Sequence, residues 1–151
     1  MLATEILTKD HKEALNMIDQ LEGADENSST HVATFEKLHD ALDVHMQAEE
    51  EIYYPALARH DEFSDLLEEN IPEHESVKES LAQMSELDPG TDEFQELLTE
   101  MKAAIEMHAT NEEDNIFPES IEVLGRDEIE ALGDEIEQLK GTSGMSHSAK
   151  V

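Results

Sequence analysis

Residues 45–55 read HMQAEEEIYYP and residues 108–118 read HATNEEDNIFP, one HxxxEE-to-aromatic-Pro skeleton repeated 63 positions later. His11 and His74 share that offset, so each half of the chain carries one lone histidine and one His–Glu pair at i, i+4. Residues four apart on a helix lie on one face a turn apart, which lets an imidazole nitrogen and a carboxylate oxygen reach neighbouring places around a cation. Two such pairs related by a pseudo-twofold axis set Glu49 and Glu112 facing each other, and a carboxylate has two oxygens with which to bridge two cations. His11, His45, Glu49, His74, His108 and Glu112 therefore form a candidate metal set of four imidazoles and two carboxylates. Imidazole with carboxylate, and without thiolate, suits two iron ions, with manganese or zinc as poorer occupants.

Taken singly, each element has a plainer explanation. A lone histidine on a helix seam is usually a hydrogen-bonded core residue, and a helical HxxxE is usually a surface ion pair. Six such residues at one common offset outweigh those explanations. His31, His39, His60 and His147 have no repeat partners and read as surface residues. Glu50, Glu51, Glu113 and Asp114 read as outer-face charges, with Glu50 and Glu113 also placed to orient ligands from behind. Tyr53, Tyr54 and Phe117 read as core packing below the site, with either tyrosine a candidate proton donor.

The elements that must position these groups are helices. Phe35, Leu38, Leu42, His45, Glu49 and Ile52 follow alternating steps of three and four, the spacing of a buried helical seam. Leu98, Met101, Ile105, His108 and Glu112 repeat it, Leu7, His11, Leu15 and Ile18 make a first seam, and Leu67, Asn70, His74, Val77, Leu81 and Met84 a third. All six candidate ligands thus face inward. Breaks are expected at residues 23–30, rich in Gly, Asn and Ser, at 59–63, and at the Asp-Pro-Gly-Thr turn of 88–91. Short links between sequential helices predict an all-α, antiparallel up-down-up-down four-helix bundle over residues 1–122. Pro55 and Pro118 should bend or end their helices, and Pro72 should interrupt the third. A short fifth helix, about residues 127–139 within a 123–140 segment, should pack on the bundle, with 141–151 a mobile tail.

Composition narrows the function classes. The 151 residues fit one domain with a single central site, and no cysteine is available for disulfides, thiolate clusters or a thiol nucleophile. Asp and Glu number 39 against 9 Lys and Arg, a formal charge of −30 distributed along the chain. Such a surface repels nucleic acid and anionic membranes, so neither is expected as a partner. The spread of the acidity and the scarcity of lysine favour adaptation to high salt over a patch for one basic partner. No apolar stretch is long enough for a signal peptide or a membrane span, which makes the cytoplasm the expected location.

With these residues in place, the chain from about residue 5 to 120 resembles the hemerythrin-like family of HHE cation-binding domains. The resemblance rests on His11, on both HxxxEE motifs with their aromatic-Pro ends, and on Glu73-His74. It implies a non-haem di-iron site in a four-helix bundle, with His11, His45, Glu49, His74, His108 and Glu112 as ligands and both glutamates as bridges. It also implies dioxygen, nitric oxide or peroxide as the small ligand, and roles in oxygen binding, sensing or oxidative defence. Oxygen-carrying members use a fifth histidine on the third helix and a more distant aspartate after the last histidine. Here Asn70 and Lys78 flank His74, and Glu112 stands at the shorter spacing, a pattern that points away from reversible oxygen carriage. Two further functions remain open: a peroxide- or nitric-oxide-detoxifying enzyme, and a structural zinc or metal-free bundle.

Overall fold

The computed structural model describes residues 1–25 and 29–149, with side chains described through 142. Every regular element among these residues is helical: α1 (Ala3–Leu21), α2 (Ser29–Ala48), α3 (Tyr54–Leu57), α4 (Ser64–Met84), α5 (Asp92–Asn111), α6 (Phe117–Leu124) and α7 (Arg126–Ala149). The two long seams behave alike. α2 passes through a π-helical turn at Glu49–Tyr53 into α3, and α5 passes through a π-helical turn at Glu112–Ile116 into α6. In each, the residue before proline donates its N–H five residues back, Tyr54 to the Glu49 carbonyl and Phe117 to the Glu112 carbonyl. Pro55 and Pro118 have no N–H to give, and their rings crowd the carbonyl four residues back; a widened turn accommodates both. The prolines thus neither end nor sharply break the run, and each opens the first turn of the next helix.

Pro72 differs from its expectation, because α4 runs unbroken from Ser64 to Met84 through it. Pro72 and Glu68, whose carbonyl loses its partner, are both exposed, so water can serve that carbonyl. The break expected at residues 88–91 is a turn in which Thr91 caps α5 by accepting the Phe94 N–H at 3.3 Å. Part of the break expected at 23–30 falls on residues 26–28, outside the described chain.

α1 packs on α2 and α5, α4 packs on α5 and α2, and these contacts close a ring of four long helices. Inside it lie two apolar clusters. Leu2, Leu7, Tyr53, Leu57, Phe63 and Ile116 belong to one, and Ile18, Leu38, Leu81, Phe94, Leu98 and Met101 to the other. His11 falls between Leu7 and Ala14 of the two clusters, and His45 and Glu49 between Leu42 and Tyr53, so the polar groups form a layer between the two apolar ends.

The expected fifth helix is α7, which buries Ile129, Leu132 and Ile136 against the start of α1. The approach is close at Gly133, where a Cβ would sit 2.0 Å from the Met1 carbonyl oxygen. Gly125, at φ 89°, makes the turn from α6 into α7. α7 continues to Ala149, beyond the boundary expected at residue 140, because extending a helix already docked along its first turns costs little per added residue. Residues 150 and 151 lie outside the described chain. No helix among the described residues is long and apolar enough to cross a membrane.

Candidate metal centre

The repeat brings the six inward residues together. His11, His45, His74 and His108 are each less than a tenth exposed, and Glu49 and Glu112 are fully buried. All four of these histidines point Nε2 inward. His11 Nε2 lies 3.0 Å from Glu112 Oε1 and His108 Nε2 3.1 Å from the same atom. His74 Nε2 lies 3.0 Å from Glu49 Oε1 and His45 Nε2 3.2 Å from it. Ligand atoms of His11, Glu49, His108 and Glu112 all fall within 4.8 Å of one another, close enough to share a cation.

Every Nδ1 meets a carboxylate outside the centre. His11 pairs with Glu113 at 2.9 Å and His74 with Glu50 at 2.8 Å; His45 pairs with Asp10 at 2.9 Å and His108 with Glu73 at 3.3 Å. These four carboxylates obey the 63-position offset as strictly as the histidines do. A carboxylate on Nδ1 fixes the tautomer and the ring plane and makes the opposite nitrogen a better donor to a metal. Glu50 and Glu113 thus take the orienting role that the sequence left open to them, while Glu51 and Asp114 are exposed. Asp10 and Glu73 orient His45 and His108 in the same way, a role that helical periodicity alone does not assign them. The signal that finds them is the repeat itself, since each directly precedes its half's lone histidine.

The donor set fits a bound cation. His45 Nε2, His108 Nε2 and Glu49 Oε2 are buried with no hydrogen-bond partner, although carboxylate oxygens stand close by. Buried polar atoms are seldom left unmatched, and a metal ion satisfies several at once. Without metal, protons substitute. Burial presses the His45 imidazolium toward its neutral form, but Glu49 and Asp10 outweigh it and raise the group from 6.5 to about 10. His108 is raised to about 11, burial again being overcome by Glu112 and Glu49. Burial would raise the Glu49 carboxyl, yet His45, Glu112 and His108 hold it well below the usual range. The metal-free centre is therefore a charged network.

These features decide the family. The chain belongs to the hemerythrin HHE cation binding domain family. The family's sequence profile matches residues 2–120. The chain is 28% identical over 147 residues to the uncharacterized protein Rv2633c of Mycobacterium tuberculosis, covering 94% of this chain and 89% of that one. It is equally similar to the uncharacterized protein Mb2666c of Mycobacterium bovis. Its fold matches the crystal structure of an HHE cation binding domain-containing protein, the Rv2633c homolog from Mycobacterium kansasii. There the TM-score is 0.73 at 25% identity, over 94% of this chain and 89% of the other. The hemerythrin-like fold of this chain is thus established along with its family.

Other groups in this HHE domain complete the site. The Tyr54 hydroxyl donates to Glu112 Oε2 at 3.0 Å, accepts from Asn70 Nδ2 at 3.2 Å, and lies 3.4 Å from His74 Nε2. Tyr54 is therefore part of the polar centre rather than packing alone, because the π-helical turn rotates it inward. Its repeat counterpart is Phe117, which stacks on His11 as Tyr54 stacks on His74. Tyr53 donates to Ser120 Oγ at 2.7 Å, away from the histidines, and packs in the core as expected. On the other side of the histidine layer lies a cavity of about 230 Å³. Ala14, Leu42, Val77 and Ile105 give it apolar walls, and Asp10 and Lys140 border it. His39 pairs with Asp43 on its own helix at 3.4 Å, His31 and His60 are half-buried, and the His147 side chain lies outside the described ones.

Proposed function

We propose that this chain is a non-haem di-iron protein that binds or senses dioxygen, nitric oxide or peroxide, or contributes to iron and oxidative-stress handling. The observation that carries the reading is the paired use of His11, His45, His74 and His108, Nε2 toward two buried carboxylates and Nδ1 on an outer one. His11, His45, His74 and His108 are the proposed nitrogen ligands, and Glu49 and Glu112 the proposed bridges. Iron is favoured over manganese and zinc by the mixture of imidazole and carboxylate. Bound there, iron would supply one-electron exchange and affinity for small oxygen or nitrogen ligands. The chain's own contribution is to hold the rings in place, exclude bulk water with the apolar cavity wall, and present the Tyr54 hydroxyl to the centre.

Tyr54 favours a second reading, a peroxide- or nitric-oxide-detoxifying enzyme. Its hydroxyl is held by Asn70 and faces the inward atoms, where a proton donor to a reduced ligand is needed. The remaining alternative is a structural zinc or metal-free bundle whose histidines and glutamates form a polar core network. We further read residues 1–122 as an antiparallel up-down-up-down bundle covered by the C-terminal helix. Its setting is read as the cytoplasm of a salt-adapted cell, with no nucleic-acid or membrane partner.

Metal analysis of protein purified without added metal, with an absorption spectrum in air, tests the proposal. Two irons per chain with oxo-bridge bands are expected. One zinc per chain with no visible absorption would overturn it.

A further inference from the structure

Two lysines break the symmetry of the centre. The repeat exchanges one set of ligands, His11 and His108 against Glu112 Oε1, with a second set, His74 and His45 against Glu49 Oε1. The outer carboxylates of the second set are each shared with a lysine. Glu50 gives Oε2 to His74 and Oε1 to Lys78 at 3.0 Å, while Asp10 gives Oδ2 to His45 and Oδ1 to Lys140 on α7. The outer carboxylates of the first set, Glu113 and Glu73, have no lysine or arginine within ion-pairing distance among the described residues. The repeat offers no replacements, because the position equivalent to Lys78 holds Leu15 and Lys140 lies on α7, outside both copies.

We infer that the two cation positions are unequal in affinity, the His11–His108 position binding the first cation and the lysine-backed His45–His74 position the second. This rests on the proposed two-cation function. An unshared carboxylate on Nδ1 lends its full charge to the imidazole and so to the metal. One that also faces an ammonium lends less, and the ammonium itself repels the cation. Lys78 and Lys140 are roughly one-third exposed, so solvent and salt moderate the effect without removing it. The compactness of the first position, whose four donor atoms already lie within 4.8 Å of one another, acts in the same direction. Lys78 and Lys140 are thus positioning residues that set the order of loading from behind His74 and His45, without touching the cation.

Calorimetric and visible-absorption titration of the metal-free chain with cobalt(II), without oxygen and at fixed KCl, tests this. Two binding steps about tenfold or more apart are expected. Lys78→Met should tighten the second step several-fold and leave the first unchanged, and Lys140→Met should do the same. Lys78 pairs with Glu50 and with the exposed Glu75 and belongs to no apolar cluster, so its variant keeps the test clear of folding defects. Two equal steps in the unaltered chain, or both steps shifted by one factor in the variants, would overturn the inference. Saturation at zero or one cobalt per chain would instead overturn the two-cation reading.

Discussion

The Tyr54 hydroxyl donates to Glu112 Oε2 at 3.0 Å across 58 positions of sequence, joining the end of the second seam to the end of the fourth. Its repeat counterpart Phe117 has no hydroxyl, so a phenyl ring is tolerated in an equivalent setting. Tyr54→Phe should destabilise the metal-free protein by about 1–3 kcal/mol, because a buried carboxylate oxygen loses its donor. Metal bound by Glu112 would satisfy the same oxygen, so the difference should shrink once metal is added. Urea unfolding of both proteins, with and without metal, measures it; an undiminished difference would remove Glu112 from the ligand set.

Glu49 Oε1 lies 3.2 Å from His45 Nε2 and 3.0 Å from His74 Nε2 and also stands 3.5 Å from His108. Glu49→Ala should abolish binding of at least one cation and cost about 3–5 kcal/mol in the metal-free state, since buried cationic partners are left without their counter-charge. Metal content and thermal melting check both outcomes. Full metal and full stability together would mean the bridging assignment is wrong.

Stability of the metal-free protein should depend on pH in a direction set by the centre. His45 and His108 are raised from 6.5 to about 10 and about 11, so their stabilisation is complete below about 6.5 and is lost as pH rises through those higher values. Glu49, Asp10 and Glu50 are lowered, so theirs is present above their ordinary values of 4.5 and 3.8 and disappears as pH falls. Denaturation midpoints should peak between about 4.5 and 6.5 and decline toward pH 10. Metal-loaded protein should show the opposite alkaline trend, because neutral imidazole is the ligand. A metal-free midpoint that climbs from pH 6 to 10 would contradict the charged-network description.

The formal charge of −30 predicts a further dependence, on salt. Self-repulsion is screened as ionic strength rises, so the melting temperature should increase steadily with KCl. A melting series flat in KCl would count against salt adaptation.

Much of this was legible in the sequence because helical periodicity is a local property. His45 and Glu49 share a seam with Leu42 and Ile52 whatever the rest of the chain does, and the 63-position repeat placed the second pair beside the first. Asp10 and Glu73 carried the same repeat, yet a carboxylate next to an inward histidine lies off its helix's seam. Whether it meets another helix's histidine depends on how the two helices are rotated and offset, which only packing sets. Pro55 and Pro118 announced a disturbance but not its form; the widened turns that turn Tyr54 toward Glu112 arise where the helix must pass proline inside a packed core. Lys140 shows the limit most plainly. Its sequence neighbourhood is a polar stretch 130 positions from Asp10, and the two meet because α7 buries Ile129, Leu132 and Ile136 against α1. Residue types and spacing determined the candidate ligand set; the docking of helices distant in sequence decided which charges stand behind each candidate.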